Sequence, residues 1–346
     1  MAVRAWTRGE AMPAAAAVAI ALALPVLLPS SSLASEVLIF GIAAMACNLL
    51  LGYTGLLSFG QGVFFGLGAY VASLALLHAH VGVVNSLALA LIAGGAAAAV
   101  IGALSIRRRG IYFVMLTLAF AQMAYFIATT ARSVTGGENG LLDVPRPPLV
   151  LLGFTISTLR GSARFYWLVA ALFVLSFLLL QRVVRSRFGT TLLAIRENEE
   201  RAIAIGYPTR DFKIVAFMIS GALTGVAGAL YALSLQFSPI SNIEYAMSEH
   251  ILLATIIGGT GSFLGSVLGA GFMVIVGDAL SSIWPRWMLL LGALLIAIVV
   301  FLRGGLWGGL ESLARRIAAR AARRSDPTPL SDAVASKEPG HGHPEP

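Results

Sequence analysis

Residues 250–278 read HILLATIIGGTGSFLGSVLGAGFMVIVGD. A membrane-spanning helix needs about 20 mainly apolar residues, and this stretch has enough of them. Gly258-Gly259-Thr260-Gly261-Ser262 and Gly265 nevertheless interrupt it. Irregular backbone at membrane depth is tolerated only where it packs in protein or lines a cavity. A second apolar stretch is broken in the same way, GYTGLLSFGQG at 52–62. Both contain Thr-Gly followed by Ser-Phe: Thr54-Gly55 with Ser58-Phe59, and Thr260-Gly261 with Ser262-Phe263. Paired broken segments in the two halves of a chain point to a transport site between structural repeats. Close helix packing through small residues is the plainer alternative.

Around these breaks apolar segments recur along almost all of the chain, at roughly 12–29, 35–52, 56–77, 83–104, 111–131, 165–181, 213–235, 250–278 and 287–302. The 346 residues are 58% hydrophobic and 12% charged, whereas an ordinary soluble domain is about 25% charged. No water-facing surface can enclose such a chain. The spacing predicts an all-α, polytopic membrane helix bundle of about 8–9 transmembrane or re-entrant helices, and the paired breaks suggest an internal repeat. Arg4 and Arg8 precede a short apolar run, as in a signal peptide. Further apolar segments follow at once, so the first is read as an uncleaved anchor.

The net charge of +8 is almost all arginine, since the lysines are Lys213 and Lys337 alone. The arginines fall at segment ends, as in Arg107-Arg108-Arg109, Arg182, Arg185, Arg187 and the run 315–324. Positive residues held on the cytoplasmic side of a lipid membrane have this distribution; a nucleic-acid-binding face does not. A cytoplasmic N-terminus (1–11) then puts the 105–110 and 182–212 loops inside and 132–164 outside. Residues 12–303 form one transmembrane domain and 304–346 a cytoplasmic tail, basic and then, over 325–346, disordered. Nine simple crossings would leave that tail outside. One segment should therefore not cross simply, and 250–278 is the candidate. His341 and His343 in the tail are too few for a metal site. Cys47, the only cysteine, reads as a small buried apolar group.

The central parts of the spans carry no ionisable residue; Glu244, Glu249 and Asp278 lie at or near ends. Proton- or ion-coupled carriers usually keep such groups within the membrane. No Gly-x-x-x-x-Gly-Lys-[Ser/Thr] phosphate loop occurs, nor any nucleophile triad or metal cluster. The chain is read as no enzyme, with no catalytic or metal residues. Energy for active transport would come from another subunit. Asn48, Ser58, Gln61, Tyr70, Thr117 and Gln122 are the polar candidates for a translocation path. An unpartnered buried amide costs on the order of 1–3 kcal/mol, so each either bonds between helices or faces a wet path.

The loop RFGTTLLAIRENEERAIAIGYPTRDFK at 187–213 combines a helical run, Leu192 to Ile205, with a stop at Gly206 and Pro208. A solvated connector is one reading. ERAIAIG at 200–206 is also similar to the Glu-Ala-Ala-x-x-x-Gly loop of bacterial ABC importer permeases, with Arg201 replacing the first alanine. Further matches are GYTGLLSFGQGVFFGLGAY at 52–70, RGIYFVMLTLAF at 109–120, TGGENGL at 135–141 and AIRENEERA at 194–202, together with the break near Gly259. In that order, over about 35–302, they resemble the branched-chain amino-acid permeases of ABC importers, the LivM half of the pair more than the LivH half.

That resemblance implies a half-transporter in a bacterial inner membrane, passing leucine, isoleucine and valine by alternating access. It implies as partners a second related permease, two ATPase subunits and an external substrate-binding protein. This chain itself would bind no cofactor, ATP and Mg being held by the ATPases. Arg196, Glu197, Glu200, Arg201, Ala202 and Gly206 would couple to the ATPase. Thr135, Gly136, Gly137, Glu138 and Asn139 would meet the binding protein or form an outer gate; a simple turn is the alternative. A urea or short-amide permease shares these motifs. An ATP-independent channel or carrier would have no use for the 187–213 loop.

Overall fold

The structure, a computed structural model, describes residues 8–151, 154–157, 161–301 and 304–309. Arg4, Arg160, the 315–324 arginine run and the 325–346 tail with His341 and His343 lie outside the described residues. The described helices are α1 (Arg8–Leu27), α2 (Ser31–Asn48), α3 (Gln61–Leu77), α4 (Val83–Ser105), α5 (Ile111–Thr130), α6 (Arg132–Thr135), α7 (Ser162–Arg185), α8 (Arg187–Glu197), α9 (Glu199–Ala204), α10 (Thr209–Leu235), α11 (Tyr245–Gly258), α12 (Phe263–Ile283) and α13 (Trp287–Phe301). Six are long and apolar enough to cross a membrane: α2 with its continuation to Thr54, α4, α5, α7, α10 and α12. Pro13–Leu27, Gln61–Leu77 and Met288–Ile298 are shorter apolar helices. The result is the expected polytopic helix bundle. The 132–164 loop adds one element that its composition did not announce, an antiparallel hairpin of β1 (Leu149–Leu151) and β2 (Phe154–Ser157).

The 250–278 stretch is not one segment. It divides into the end of α11 and most of α12, turning at residues 259–262 through Gly259 (φ +110) and Gly261 (φ +96). One expected segment thereby becomes two helices. The chain after α13 returns beside the same turn, where a Cβ on Gly259 would lie 2.7 Å from the Gly304 carbonyl. The turn thus lies at the bundle end that carries Arg107–Arg109 and α8–α9, here the basic end.

α2 is buried from Ala34 to Asn48 except at Glu36, and forms the axis of the bundle. α10 packs on it and on α3 and α4 through a stripe of small residues. Gly68 meets the Gly225 backbone, Gly94 that of Gly221 and Gly228 that of Phe65, so closely that no side chain fits between. Helices in lipid gain no hydrophobic drive from pairing, and small residues let their backbones approach closely instead. α5 differs: only Phe113, Thr117, Ala121 and Ala128 are buried along its length. Beyond α10 the chain turns back into the bundle, and Ile243 packs against Gly66 midway along α3 before α11 begins.

A Cβ at Gly225 would meet the Ala90 carbonyl at 2.7 Å and the Gly94 Cα at 3.2 Å. Gly225→Leu is expected to remove about 3 kcal/mol of stability or to prevent folding. Gly82 has no neighbour within 4 Å, so Gly82→Ala should stay within about 0.5 kcal/mol of the parent. Thermal unfolding in detergent reads both.

Candidate coupling and translocation site

The two breaks foreseen in the sequence meet at the basic end. α2 loosens after Asn48 into a π-helix, Leu49–Thr54, which stops at Gly55 in the left-handed region (φ +72). A side chain at Gly52 would overlap Asn48 Oδ1. Asn48 therefore turns across the gap. Its Nδ2 donates to the Ser262 carbonyl (2.9 Å) and to Ser266 Oγ (2.8 Å), and its Oδ1 accepts from Gly261 N–H (3.0 Å). Tyr53 donates to the Gly261 carbonyl (2.9 Å) and stacks on Phe263 at 5.2 Å. π-turns inside helices are frequent at functional sites.

The expected helical run Leu192–Ile205 is instead two helices. Asn198 adopts an extended conformation (φ −157°, ψ 97°), and its side chain caps α9 by accepting from Arg201 N–H at 2.9 Å. Asparagine competes with the helix by just such local bonds, and capping turns that tendency into a break. Gly206 (φ +91) closes α9. Its N–H donates to the Ile203 carbonyl, and Tyr207 N–H donates to the Ala202 carbonyl (2.9 and 3.1 Å), the Schellman arrangement.

The coupling candidates divide by direction. Arg196 turns inward and donates to the Gly52 carbonyl on the π-helix. Ala202 is buried against the bundle. Glu197, Glu200, Arg201 and Gly206 face solvent. Among them stand Ile203, Ile205 and Tyr207, large apolar side chains that are all exposed. This apolar tip was not singled out in the sequence, where the dense charge hid two isoleucines only two residues apart. Glu199 was also missed. It pairs with the buried Lys213 at 2.6 Å and with Arg109 at 3.4 Å, tying the hairpin to α10 and to the 105–110 turn. Glu200 reaches Arg109 at 3.7 Å but is 85% exposed, which makes that pair weak. Phe188 stacks on Phe212 at 5.4 Å and holds α8 to the start of α10.

Most of the polar candidates for a path prove to be bonded. Gln61 is buried and spans Ser220 Oγ (3.1 Å) and Thr224 Oγ1 (2.8 Å). Ser58 accepts from Gly60 N–H. Thr117 donates to the Val114 carbonyl and accepts from Phe59 N–H. Asn48 and Gln61 join helices, Thr117 ties α5 to the 55–60 loop, and Ser58 closes a local turn within that loop. Gln122 is exposed on α5. Tyr70 lines an apolar cavity of about 640 Å³ between α3, α4 and α5, with its hydroxyl buried and unpartnered. A second cavity, about 420 Å³, opens at the far end between α2, α10, α11 and α12 and contains Glu36, Tyr231, Glu244, His250 and Asp278. The sequence reading had put Glu244 and Asp278 at span ends and overlooked Glu36 and His250.

At the far end Thr135 donates to the Ala128 and Ala131 carbonyls (2.6 and 3.0 Å) and accepts from Gly137 N–H. Gly136 (φ +75) and Gly137 (φ +64) carry the turn that exposes Glu138 and Asn139. Leu141 bridges to Ser238, latching this loop to the re-entrant segment. Arg146 donates to the Leu233 and Ser234 carbonyls at the end of α10 and covers the Phe165 ring at 4.8 Å. Burial lowers the guanidinium's affinity for its proton.

A helical membrane bundle with two abutting breaks and an ordered loop beneath them defines a transport protein of the permease class. The chain belongs to the family of branched-chain amino acid transport system permease components, whose model matches residues 30–299. It is similar to the high-affinity branched-chain amino acid transport system permease protein LivM of Salmonella typhimurium, 30% identical over 83% of this chain and 72% of the relative. The probable branched-chain amino acid transport permease LivM of Methanocaldococcus jannaschii is 25% identical over 78% of this chain and 90% of its own length. The autoinducer 2 import system permease LsrC of Escherichia coli is 29% identical over 49% of this chain and 51% of its own. No solved structure gives a significant match.

Glu199→Gln would leave the Lys213 ammonium buried without a counter-charge. The expected loss is about 2–3 kcal/mol, at the low end for a buried pair because Glu199 reaches solvent. Adding Lys213→Met should restore most of it, which a double-mutant cycle on the melting temperature would measure.

Proposed function

We propose that this chain is one half of the membrane domain of an ATP-driven importer in a bacterial inner membrane. In this reading it pairs with a second, related permease and passes leucine, isoleucine and valine by alternating access. ATP and Mg are held by two partner ATPase subunits, and a soluble binding protein delivers substrate at the far end.

The observation that carries this reading is the join between the α8–α9 hairpin and the breaks. Arg196 touches Gly52, Tyr53 touches Gly261, and Asn48 spans both sides. A push on the hairpin by a closing ATPase dimer would reach the two irregular segments within one residue of contact. Ile203, Ile205 and Tyr207 are exposed apolar side chains on the same short hairpin as the exposed Glu197, Glu200 and Arg201, the composition expected where one protein docks another. A self-contained channel would expose such a surface to no purpose. The similarity to LsrC, an autoinducer 2 import system permease, favours a second reading in which the same machinery carries a solute other than a branched-chain amino acid.

Gentle purification from native membranes should recover a second permease and ATPase subunits with this chain. Reconstituted with the binding protein, the assembly should take up leucine in an ATP-dependent way. Ile205→Asp and Glu200→Arg are each expected to lower uptake and substrate-linked ATP hydrolysis by about tenfold or more, the effect of losing one central interface contact. Assembly of the two permeases should persist. Normal uptake in both variants would sink the coupling assignment, and uptake without ATP would favour a channel or carrier.

A further inference from the structure

We propose that the 420 Å³ cavity at the far end is a holding site for the zwitterionic amino acid, with Glu36 and Asp278 taking its α-ammonium, His250 its carboxylate, and Phe40, Met273 and Val274 its branched side chain. This rests on the reading of the chain as a branched-chain amino-acid permease.

Glu36, half-buried in the second turn of α2, and Asp278, exposed near the end of α12, line the same cavity. Glu244, just before α11, adds a third carboxylate to the same cavity. None of the three has a basic partner among the described residues. Like charges gathered without a counter-ion raise each other's energy, and a bound cation relieves it. The arrangement does not suit a metal, since among the described residues no three His, Cys, Asp or Glu side chains stand close enough to hold one. The carboxylates are instead spread around a space of small-molecule size.

Below them the wall changes character. Phe40, Met273 and Val274 are buried, and Phe40 contacts the Tyr231 ring at 5.4 Å and the His250 ring at 4.9 Å. His250 Nε2 is buried and finds no hydrogen-bond partner, an arrangement that normally costs free energy unless something else supplies the bond. An ammonium needs several acceptors, a carboxylate needs a donor, and a short branched chain needs an apolar floor. The cavity presents all three, at the end of the bundle opposite the coupling hairpin, where an imported solute enters.

The test uses the chain purified with whatever subunits accompany it, in nanodiscs without binding protein. Saturation-transfer NMR follows leucine, 3-methylbutylamine (leucine without its carboxylate) and 4-methylpentanoate (leucine without its ammonium). Leucine and the amine should bind, and 4-methylpentanoate should bind about tenfold more weakly or worse, as loss of a charge-assisted contact implies. The double variant E36Q/D278N should weaken the amine by a similar factor. It should melt no lower than the parent, since two repelling charges are removed. His250→Leu should weaken leucine and leave the amine unchanged. Equal binding of all three ligands, amine binding unaltered in E36Q/D278N, or sodium or calcium bound there with no amine binding would each overturn the proposal. If the parent assembly imports no branched-chain amino acid, the functional reading falls by itself. The amine titration of E36Q/D278N still decides what the cavity holds.

Discussion

A helix interrupted inside an apolar bundle releases backbone N–H and C=O groups that water cannot reach, and each needs a partner from the protein. Asn48 meets part of that demand. An amide side chain both donates and accepts, so one residue on α2 satisfies a carbonyl and an N–H of the α11–α12 turn and reaches Ser266 as well. The glycine at 52 keeps the space in which that amide turns. Tyr53, held on the π-helix, takes the remaining Gly261 carbonyl. The breaks are thus ordered by each other.

The same region is where the α8–α9 hairpin touches the bundle. Arg196 supplies charge-assisted donors to a π-helix carbonyl, and Glu199 neutralises Lys213 at the root of α10. The hairpin is thus fixed at both its base and its inner face. Its outer face exposes Ile203, Ile205 and Tyr207, the last set edge-on to Phe212 at 6.3 Å. Force applied there has a short route to the breaks and, through α10, to the glycine stripe that joins α3 and α4.

Packing density varies across the bundle with the kind of contact. Where α10 meets α3 and α4, glycine brings backbone onto backbone and leaves no slack. α5 is held by few buried residues, and an apolar cavity opens beside it. At the far end the 420 Å³ cavity lies where four helix ends diverge and the re-entrant segment crosses between them. Rigid contacts near the axis and open space toward the far end suit a protein that must keep its core while a path beside it changes.

Hydropathy and the placement of arginine by themselves determined the class, the position of nearly every helix and the basic end, because spanning a membrane imposes length and composition locally. The glycine runs at 52–62 and 258–265 announced both breaks, since few residues other than glycine accept positive φ. The meeting of the breaks was not legible, for it depends on a contact between residues more than 200 positions apart. The split of α8 from α9 turned on whether Asn198 would sit in a helix or cap one, a choice decided by how the hairpin packs. For Asn48, Gln61, Ser58 and Thr117 the sequence left open a bond or a wet path, and only the fold supplied their hydrogen-bond partners. Glu36 and His250 look ordinary in the sequence, and only the convergence of α2, α11 and α12 puts them around one cavity. Composition along the chain decides what must be buried; which buried polar groups find one another is decided by the fold.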